Sequence, residues 1–190
     1  MKPMLSLSVL TENKPDLQER MVLERLLSFN EKTARYGLAL TEADAKELLL
    51  CRREALGETG RVEFGEGILP AIIYAFCDSP YMDRDTYREI LGELMETFYL
   101  YKNESMDALS DGELIGFMRR LFDGVCFGDL AYLQGTCLER FARALRAGYL
   151  RRRPKPDEYC PQAVEDDYAP LDEETRWDYE LFEQALDNLF

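Results

Sequence analysis

The chain has 190 residues, of which 46% are hydrophobic and 32% are charged, a balance typical of a folded globular domain and not of a disordered chain. Its 37 acidic and 23 basic residues leave a formal net charge of -14, which repels nucleic acids and anionic lipids. We therefore expect no nucleic-acid or membrane binding, and partners that are cationic or neutral.

The sequence contains no histidine. This excludes serine and cysteine nucleophiles that histidine activates, di-iron sites with histidine ligands, and zinc sites with histidine ligands. The five cysteines are an odd number without a Cys-x-x-Cys pair, so we predict reduced thiols that pack as small hydrophobic side chains. The glycines near residue 60 lack the Gly-Lys-Ser/Thr ending of a phosphate loop. We predict no catalytic residue, no cofactor and no metal site.

The N-terminal apolar stretch, residues 4–10, is interrupted by two serines and lacks a cleavage site of small residues, unlike a signal peptide. The longest apolar run, residues 68–77, contains Pro70 and has half the length of a transmembrane helix. Together with the reduced cysteines, these features predict a cytoplasmic protein.

Hydrophobic residues at spacings of three and four predict two helices before residue 60. The first follows Pro15 and ends at Gly37. The second begins at Thr41, where Asp44 completes a variant of the capping box, and ends within residues 57–60. The predicted inner faces are Val22, Leu23, Leu26, Leu27, Phe29, Ala34 and Tyr36 in the first helix and Ala45, Leu48, Leu49 and Leu56 in the second.

A short turn, residues 61–67, leads from the second helix into the apolar run, and its residues Val62 and Phe64 look buried. The run itself, residues 68–77, is hydrophobic on all sides and predicts a buried central helix with Pro70 in its first turn. A buried strand is the alternative, because periodicity does not distinguish the two in a short apolar run.

Three further helices are predicted. They open at Asp83, at Ser110, where Glu113 completes a Ser-x-x-Glu capping box, and at about Asp129, with the last one running to Tyr149. Their inner faces are Tyr87, Ile90, Leu91, Leu94, Met95, Phe98 and Tyr101; Leu114, Phe117, Met118, Leu121 and Phe122; and Leu130, Leu133, Cys137, Phe141, Ala144 and Leu145. The sequence thus predicts an all-α fold, a compact bundle of about six helices over residues 1–150.

The C-terminal part differs in composition. Residues 151–171 hold four of the eight prolines and an acidic cluster, and predict an extended linker. Residues 172–190 predict an amphipathic helix that is too short to be stable alone, so we expect it to dock on the bundle or on a partner. The candidate partner-binding residues on its apolar side are Trp177, Leu181, Leu186 and Leu189.

Polar turn residues beside aromatic side chains suggest the rim of a ligand pocket. The candidate ligand-binding residues are Arg61, Glu63, Asp78, Lys102, Asn103 and Glu104. The competing interpretation, which the pattern favours, is that these residues cap helices and form a buried Arg–Glu pair. The basic residues between 140 and 155 have a similar structural explanation, because cations at a helix C-terminus complement its dipole.

Five segments combine aromatic, glycine and charged residues in a specific way: 60–65 (Gly-Arg-Val-Glu-Phe-Gly), 76–79 (Phe-Cys-Asp-Ser), 98–105 (Phe-Tyr-Leu-Tyr-Lys-Asn-Glu-Ser), 126–130 (Cys-Phe-Gly-Asp-Leu) and 137–143 (Cys-Leu-Glu-Arg-Phe-Ala-Arg). In these segments the chain resembles a family of uncharacterised acidic helical proteins from clostridial-type anaerobic bacteria. The resemblance spans about residues 29–149, and the helix around Trp177 is also similar. It implies a bacterial cytosolic origin and no particular activity.

The residues alone leave the function unknown. The lack of catalytic groups, the acidic surface and the tethered amphipathic helix lead us to expect a non-enzymatic protein-interaction or regulatory module. Self-association by exchange of the C-terminal helix is one form of this hypothesis. The alternative is a small-molecule-binding or enzymatic helical domain with a polar pocket at the turns between helices.

Overall fold

Helices account for all regular secondary structure between residues 17 and 146, the residues that the computed structural model describes. They are α1 (Leu17–Ser28), α2 (Asn30–Thr33) with a 3₁₀ turn (Ala34–Tyr36), α3 (Glu42–Thr59), α4 (Leu69–Phe76), α5 (Tyr87–Glu104), α6 (Asp111–Asp123), α7 (Leu130–Tyr132), a π-helical segment (Leu133–Cys137) and α8 (Leu138–Arg146). The last three run on without interruption. The all-α prediction is confirmed for this part of the chain.

Several of the helix ends follow from local signals in the sequence. Thr41 and Ser110 each accept a hydrogen bond from the backbone N–H three residues on, and the carboxylates of Asp44 and Glu113 complete the two predicted capping boxes. Gly60 ends α3 with a φ of 67°, in the left-handed region that favours glycine. These signals satisfy backbone groups that a helix end leaves without an intrahelical partner.

The start of α5 was predicted too early. The helix begins at Tyr87, not at Asp83. The carboxylate of Asp83 accepts a hydrogen bond from the N–H of Asp85 at 3.2 Å, and this local turn competes with helix formation.

The centre of the bundle is α5, which packs against α3, α4, α6 and α8. The prediction that residues 68–77 form a helix is confirmed, and Pro70 lies in its first turn. The prediction that this helix is the buried centre is wrong, because Tyr74 of α4 is 64% exposed and Ala71 also faces solvent. A helix with hydrophobic residues on all faces need not be buried on all faces, because tyrosine and alanine are often exposed to solvent.

Aromatic side chains fill the core between α5, α6 and α8. The ring of Tyr101 lies 4.9 Å from that of Phe141, and Phe117 lies 5.3 Å from Phe141. The hydroxyl of Tyr101 donates to the carbonyl of Leu133 at 2.9 Å, so the buried phenol has a hydrogen-bond acceptor. All five predicted inner-face residues of α6 are buried.

Two residues that were predicted to lie on the inner face of the first helix are exposed instead. Ala34 is exposed, and Tyr36 is 41% exposed beneath the guanidinium of Arg35. The chain passes from α-helix to a 3₁₀ turn at Ala34, and the tighter winding rotates the side chains away from the predicted stripe.

No helix within residues 17–146 is long and apolar enough to cross a membrane. The predicted linker of residues 151–171 and the predicted helix of residues 172–190 lie outside the described residues. The domain boundary near residue 150 therefore stays a prediction.

We expect Ser110→Ala to lower the free energy of unfolding by about 1 kcal/mol, because the first turn of α6 loses its cap. Ser28→Ala is the matched control, since the exposed Ser28 hydroxyl only donates to the carbonyl of Arg25. We expect the control to change stability by less than about 0.5 kcal/mol. Urea denaturation followed by circular dichroism measures both values, and equal effects would contradict the capping role.

Candidate functional site

An ion pair between the buried Arg52 and the half-buried Glu63 fixes the loop between α3 and α4. Arg52, on α3, is 8% exposed, and its Nε donates to Oε2 of Glu63 at 3.0 Å. Its Nη1 donates to the carbonyl of Gly65 at 2.8 Å. The same Oε2 also accepts from the hydroxyl of Tyr99 at 2.7 Å and from the N–H of Ile68 at 3.2 Å. One carboxylate thus connects α3, the start of α4 and α5.

The surroundings of this pair leave no space for a side chain at residue 67. A Cβ atom on Gly67 would lie 1.9 Å from Oε2 of Glu63 and 2.4 Å from Nη2 of Arg52, and the φ of Gly67 is +60°. Burial, followed by the hydrogen bond to Glu63, raises the pKa of Tyr99. Tyr99 therefore remains protonated and acts as a donor to the carboxylate.

Sequence reasoning missed Arg52 and Tyr99. Arg52 lies four residues after Leu48, so it falls on the buried stripe of α3 that also contains Ala45 and Ala55. A charged residue on an otherwise apolar helix stripe is a signal for a buried ion pair, because a buried charge requires a partner. The turn residues predicted an Arg–Glu pair with Arg61 as the arginine, and this is wrong: Arg61 pairs with Asp107, and Glu63 pairs with Arg52 of α3.

The loop residues Val62 and Phe64 were predicted to be buried, and this is wrong. Val62 is 79% exposed and Phe64 is 90% exposed. Residues 61–64 are not helical, and their side chains alternate between half-buried and exposed along the chain. Since Glu63 points inward to Arg52, its two neighbours point outward.

A polar pocket of about 480 Å³ lies between the end of α3, the same loop, the end of α5 and the start of α6. Four of the six candidate ligand-binding residues line it: Arg61, Glu63, Lys102 and Asn103. Nε of Arg61 donates to Oδ1 of Asn103 at 2.6 Å, and Nδ2 of Asn103 donates to the carbonyl of Thr59 at 3.3 Å. The structure therefore brings most of the predicted site together.

The cations of the polar pocket already have partners. Nη1 of Arg61 lies 2.9 Å from Oδ1 of Asp107, and Nζ of Lys102 lies 2.7 Å from Oδ1 of Asp111. The hydrogen bond from Arg61 lowers the pKa of the Asp107 carboxyl. Lys102 also donates to the carbonyl of Leu109 at 2.6 Å. These contacts hold the α5–α6 connection against the end of α3, and the ligand-binding role of the residues stays a prediction.

The other two candidate residues do not line the polar pocket. Asp78 accepts a hydrogen bond from Nη1 of Arg119 at 2.7 Å, and this contact lowers the pKa of its carboxyl. Nε of Arg119 also donates to Asp123 at 2.6 Å, so Asp78 helps to attach the end of α4 to α6. Glu104 is exposed at the end of α5.

A larger and mainly apolar groove of about 840 Å³ lies between α1, α3 and the loop; we call it the α1–α3 groove. Its apolar lining includes Leu23, Leu27, Leu49 and Leu56, together with Val22, Leu50 and Phe64. Leu50 is 52% exposed and Phe64 is 90% exposed. Sequence reasoning did not find this surface, because it assigned the leucines to a closed core.

The charges of the α1–α3 groove balance. Its lining contains four acidic and four basic residues: Glu19, Glu24, Glu42 and Glu63, and Arg20, Lys46, Arg52 and Arg53. Pairs form at Arg52–Glu63, Arg53–Glu19 and Lys46–Glu42. The groove is therefore locally neutral on a chain whose formal net charge is -14.

Within residues 17–146, no group of three or more cysteine or carboxylate side chains is placed to hold a metal ion. The predicted partner-binding residues Trp177, Leu181, Leu186 and Leu189 lie outside the described residues, so their role stays a prediction.

A comparison with protein-family models matches residues 25–151 to one described as a family of unknown function, DUF6323. The matched region includes the Arg52–Glu63 pair and the whole polar pocket. Comparisons with curated proteins and with solved structures found no match.

We expect Gly67→Ala to destabilise the protein far more than Gly65→Ala. Both glycines have positive φ values, +60° and +58°, but only Gly67 lies against other atoms where a Cβ would be placed. The strain common to both costs about 1 kcal/mol, and disturbing the buried pair at Gly67 adds about 3 kcal/mol. Chemical denaturation measures the difference. Equal losses would show that the loop accommodates the methyl group without moving the ion pair.

Proposed function

We propose that this chain, which belongs to the family of unknown function DUF6323, is a non-enzymatic protein-interaction module that binds an amphipathic helix in its α1–α3 groove. The observation that carries this proposal is the exposed apolar surface of the groove. Phe64 is 90% exposed at its edge and Leu50 is 52% exposed on α3. Burial of a phenylalanine or leucine side chain contributes about 1.5–3 kcal/mol, so two such residues offer a partner substantial binding energy.

The backbone on both sides of Phe64 is fixed. Arg52 binds the side chain of Glu63 and the carbonyl of Gly65, the residues immediately before and after Phe64. A partner that covers the ring therefore does not have to order the loop first, which reduces the entropic cost of binding. An exposed aromatic side chain on an ordered backbone is typical of an interaction surface.

The occupant that we propose is the segment of residues 172–190 of this chain. Its predicted apolar side, which includes Trp177, provides the i, i+4 pattern that a helix-binding groove requires. The segment carries seven acidic residues and one basic residue. The exposed basic side chains of the groove, Lys46 and Arg53, already pair with Glu42 and Glu19, so the groove is neutral and not positive. A neutral groove receives such a segment with less repulsion than an acidic surface would.

The predicted linker is long enough for this contact within one chain. Its 21 positions, residues 151–171, span at most roughly 70 Å when extended. A domain of this size has a radius of gyration of about 14 Å, so any face lies within reach. A tether also keeps the segment at a millimolar effective concentration near the groove. The same contact between two copies would form an exchanged dimer.

The four cysteines within residues 17–146 are free thiols, which supports the cytoplasmic location that we also propose.

The small-molecule alternative has weaker support. The polar pocket collects four candidate residues, but Arg61 and Lys102 are neutralised there by Asp107 and Asp111.

Fluorescence of Trp177 tests the proposed contact, because it is the chain's single tryptophan. We expect a blue-shifted emission maximum and weak quenching by acrylamide in the full-length protein. Phe64→Glu should shift the emission to the red and increase quenching, since a charge then lies in the groove. Val62→Glu is the matched control: Val62 is 79% exposed in the same loop and does not line the groove. A solvent-exposed emission in the unmodified chain contradicts the proposal.

If the segment binds within one chain, removal of residues 151–190 should lower the thermal unfolding midpoint, because the apolar groove becomes exposed. If the contact is between two copies, the removal should change the assembly state. Calorimetry and light scattering on the full-length and shortened chains distinguish these outcomes. A shortened monomer with an unchanged midpoint would show that residues 151–190 neither cover the groove nor mediate assembly.

A further inference from the structure

Two cysteine thiols are in contact where the loop after α6 meets the π-helical segment. The Sγ atoms of Cys126 and Cys137 are 3.6 Å apart, and the two residues are 5% and 2% exposed. We propose that this pair is a modification site, at which a hydroperoxide such as hydrogen peroxide converts the two thiols into an intramolecular disulfide. This inference goes beyond the proposed interaction function and does not depend on it.

The distance between the sulfurs requires only a small movement. A disulfide bond is about 2.05 Å long, so the two sulfurs must approach by roughly 1.5 Å. Cys126 belongs to a loop whose next two residues have left-handed backbones: φ is 50° at Phe127 and 83° at Gly128. This conformation is unfavourable for an aromatic residue, and Phe127 is also 72% exposed. Backbone hydrogen bonds from Cys126 and Gly128 to the carbonyls of Leu121 and Phe122 hold the loop, so rotation of the two cysteine side chains supplies the approach. The surface position of the loop, shown by the exposed Phe127, brings the pair near solvent.

The electrostatics distinguish the two sulfurs. Either thiol can be the donor between the two sulfurs. When Cys137 is the thiolate, it accepts from the Cys126 thiol, and this bond together with the positive charge of Arg140 lowers the pKa of the Cys137 thiol. The same hydrogen bond and burial raise the pKa of the Cys126 thiol. Cys137 is thus the sulfur that attacks first, since the thiolate is the nucleophile in thiol oxidation.

The reaction has two steps. The Cys137 thiolate attacks one oxygen of hydrogen peroxide; the S–O bond forms, the O–O bond breaks, and the departing hydroxide takes up a proton to give water. The sulfur of Cys126 then loses its proton and attacks the sulfur of the Cys137 sulfenic acid. The S–S bond forms, the S–O bond breaks, and the hydroxide leaves with that proton as a second water. Two thiols and one peroxide give one disulfide and two waters.

The other described cysteines differ from this pair. Burial raises the pKa of both Cys51 and Cys77, and the thiol of Cys77 donates to the carbonyl of Tyr74 at 3.4 Å. No close sulfur–sulfur contact other than Cys126–Cys137 occurs within residues 17–146. The structure therefore predicts a disulfide at one defined position.

The test treats the folded full-length protein with hydrogen peroxide, removes the oxidant with catalase, and counts thiols after unfolding. We expect the count to fall from the five cysteines of the chain to three, with a peptide map that links Cys126 to Cys137. Reduction with dithiothreitol should restore all five. Cys126→Ser should leave a sulfenic acid at Cys137, which a dimedone probe traps.

A variant that combines Cys51→Ser, Cys77→Ser and Cys160→Ser serves as the control, because it keeps only the proposed pair. It should still form the disulfide and lose both remaining thiols. Five intact thiols after peroxide treatment of the native chain, or a disulfide that involves another cysteine, would overturn the proposal. A disulfide that forms only in denaturant would do the same. None of these measurements involves the groove or Trp177, so this proposal and the proposed function can fail separately.

Discussion

The ion pair between Arg52 and Glu63 is the constraint on which the surface of this protein depends. The Arg52 charge is buried and the Glu63 side chain is 18% exposed, so both lose hydration, and close contacts must offset that cost. Here one carboxylate oxygen accepts three hydrogen bonds, and the guanidinium also reaches the carbonyl of Gly65. Because these partners come from α3, α5 and the start of α4, the loop has one position in which all of them are satisfied.

The position of the loop decides what the protein presents to solvent. Glu63 is directed inward, and its two neighbours Val62 and Phe64 are exposed. Val62 then lines the polar pocket and Phe64 lines the α1–α3 groove, and Glu63 contributes to both surfaces. A single inward-facing carboxylate thus separates a charged surface from an apolar one.

Much of the fold could be predicted because its determinants are local. The capping boxes at Thr41 and Ser110 and the apolar stripe of α6 depend on residues within a few positions of each other. The site was harder to predict because it depends on long-range partners. Glu63 and Tyr99 are 36 positions apart, and Asp78 was grouped with the pocket although Arg119, 41 positions away, holds it elsewhere. The periodicity of the sequence does not show which distant residues are in contact. The one local signal of such a contact was Arg52, a charged residue on the buried stripe of α3.

The polar residues at the turns have partners within the domain, whereas the apolar residue Phe64 at the edge of the groove is exposed. Lys102 lies in the last turn of α5 and Asp111 in the first turn of α6, so each charge complements its own helix dipole and the two also pair with each other. The described fold thus accounts for these charges through contacts within the domain. Arg52 holds the residues on both sides of Phe64, yet the Phe64 side chain is 90% exposed. The fixed backbone therefore does not bury the ring against other residues between 17 and 146. Ordering a backbone costs entropy. An aromatic side chain that an ion pair holds in solvent therefore favours the groove over the polar pocket as the site of the interaction that we propose.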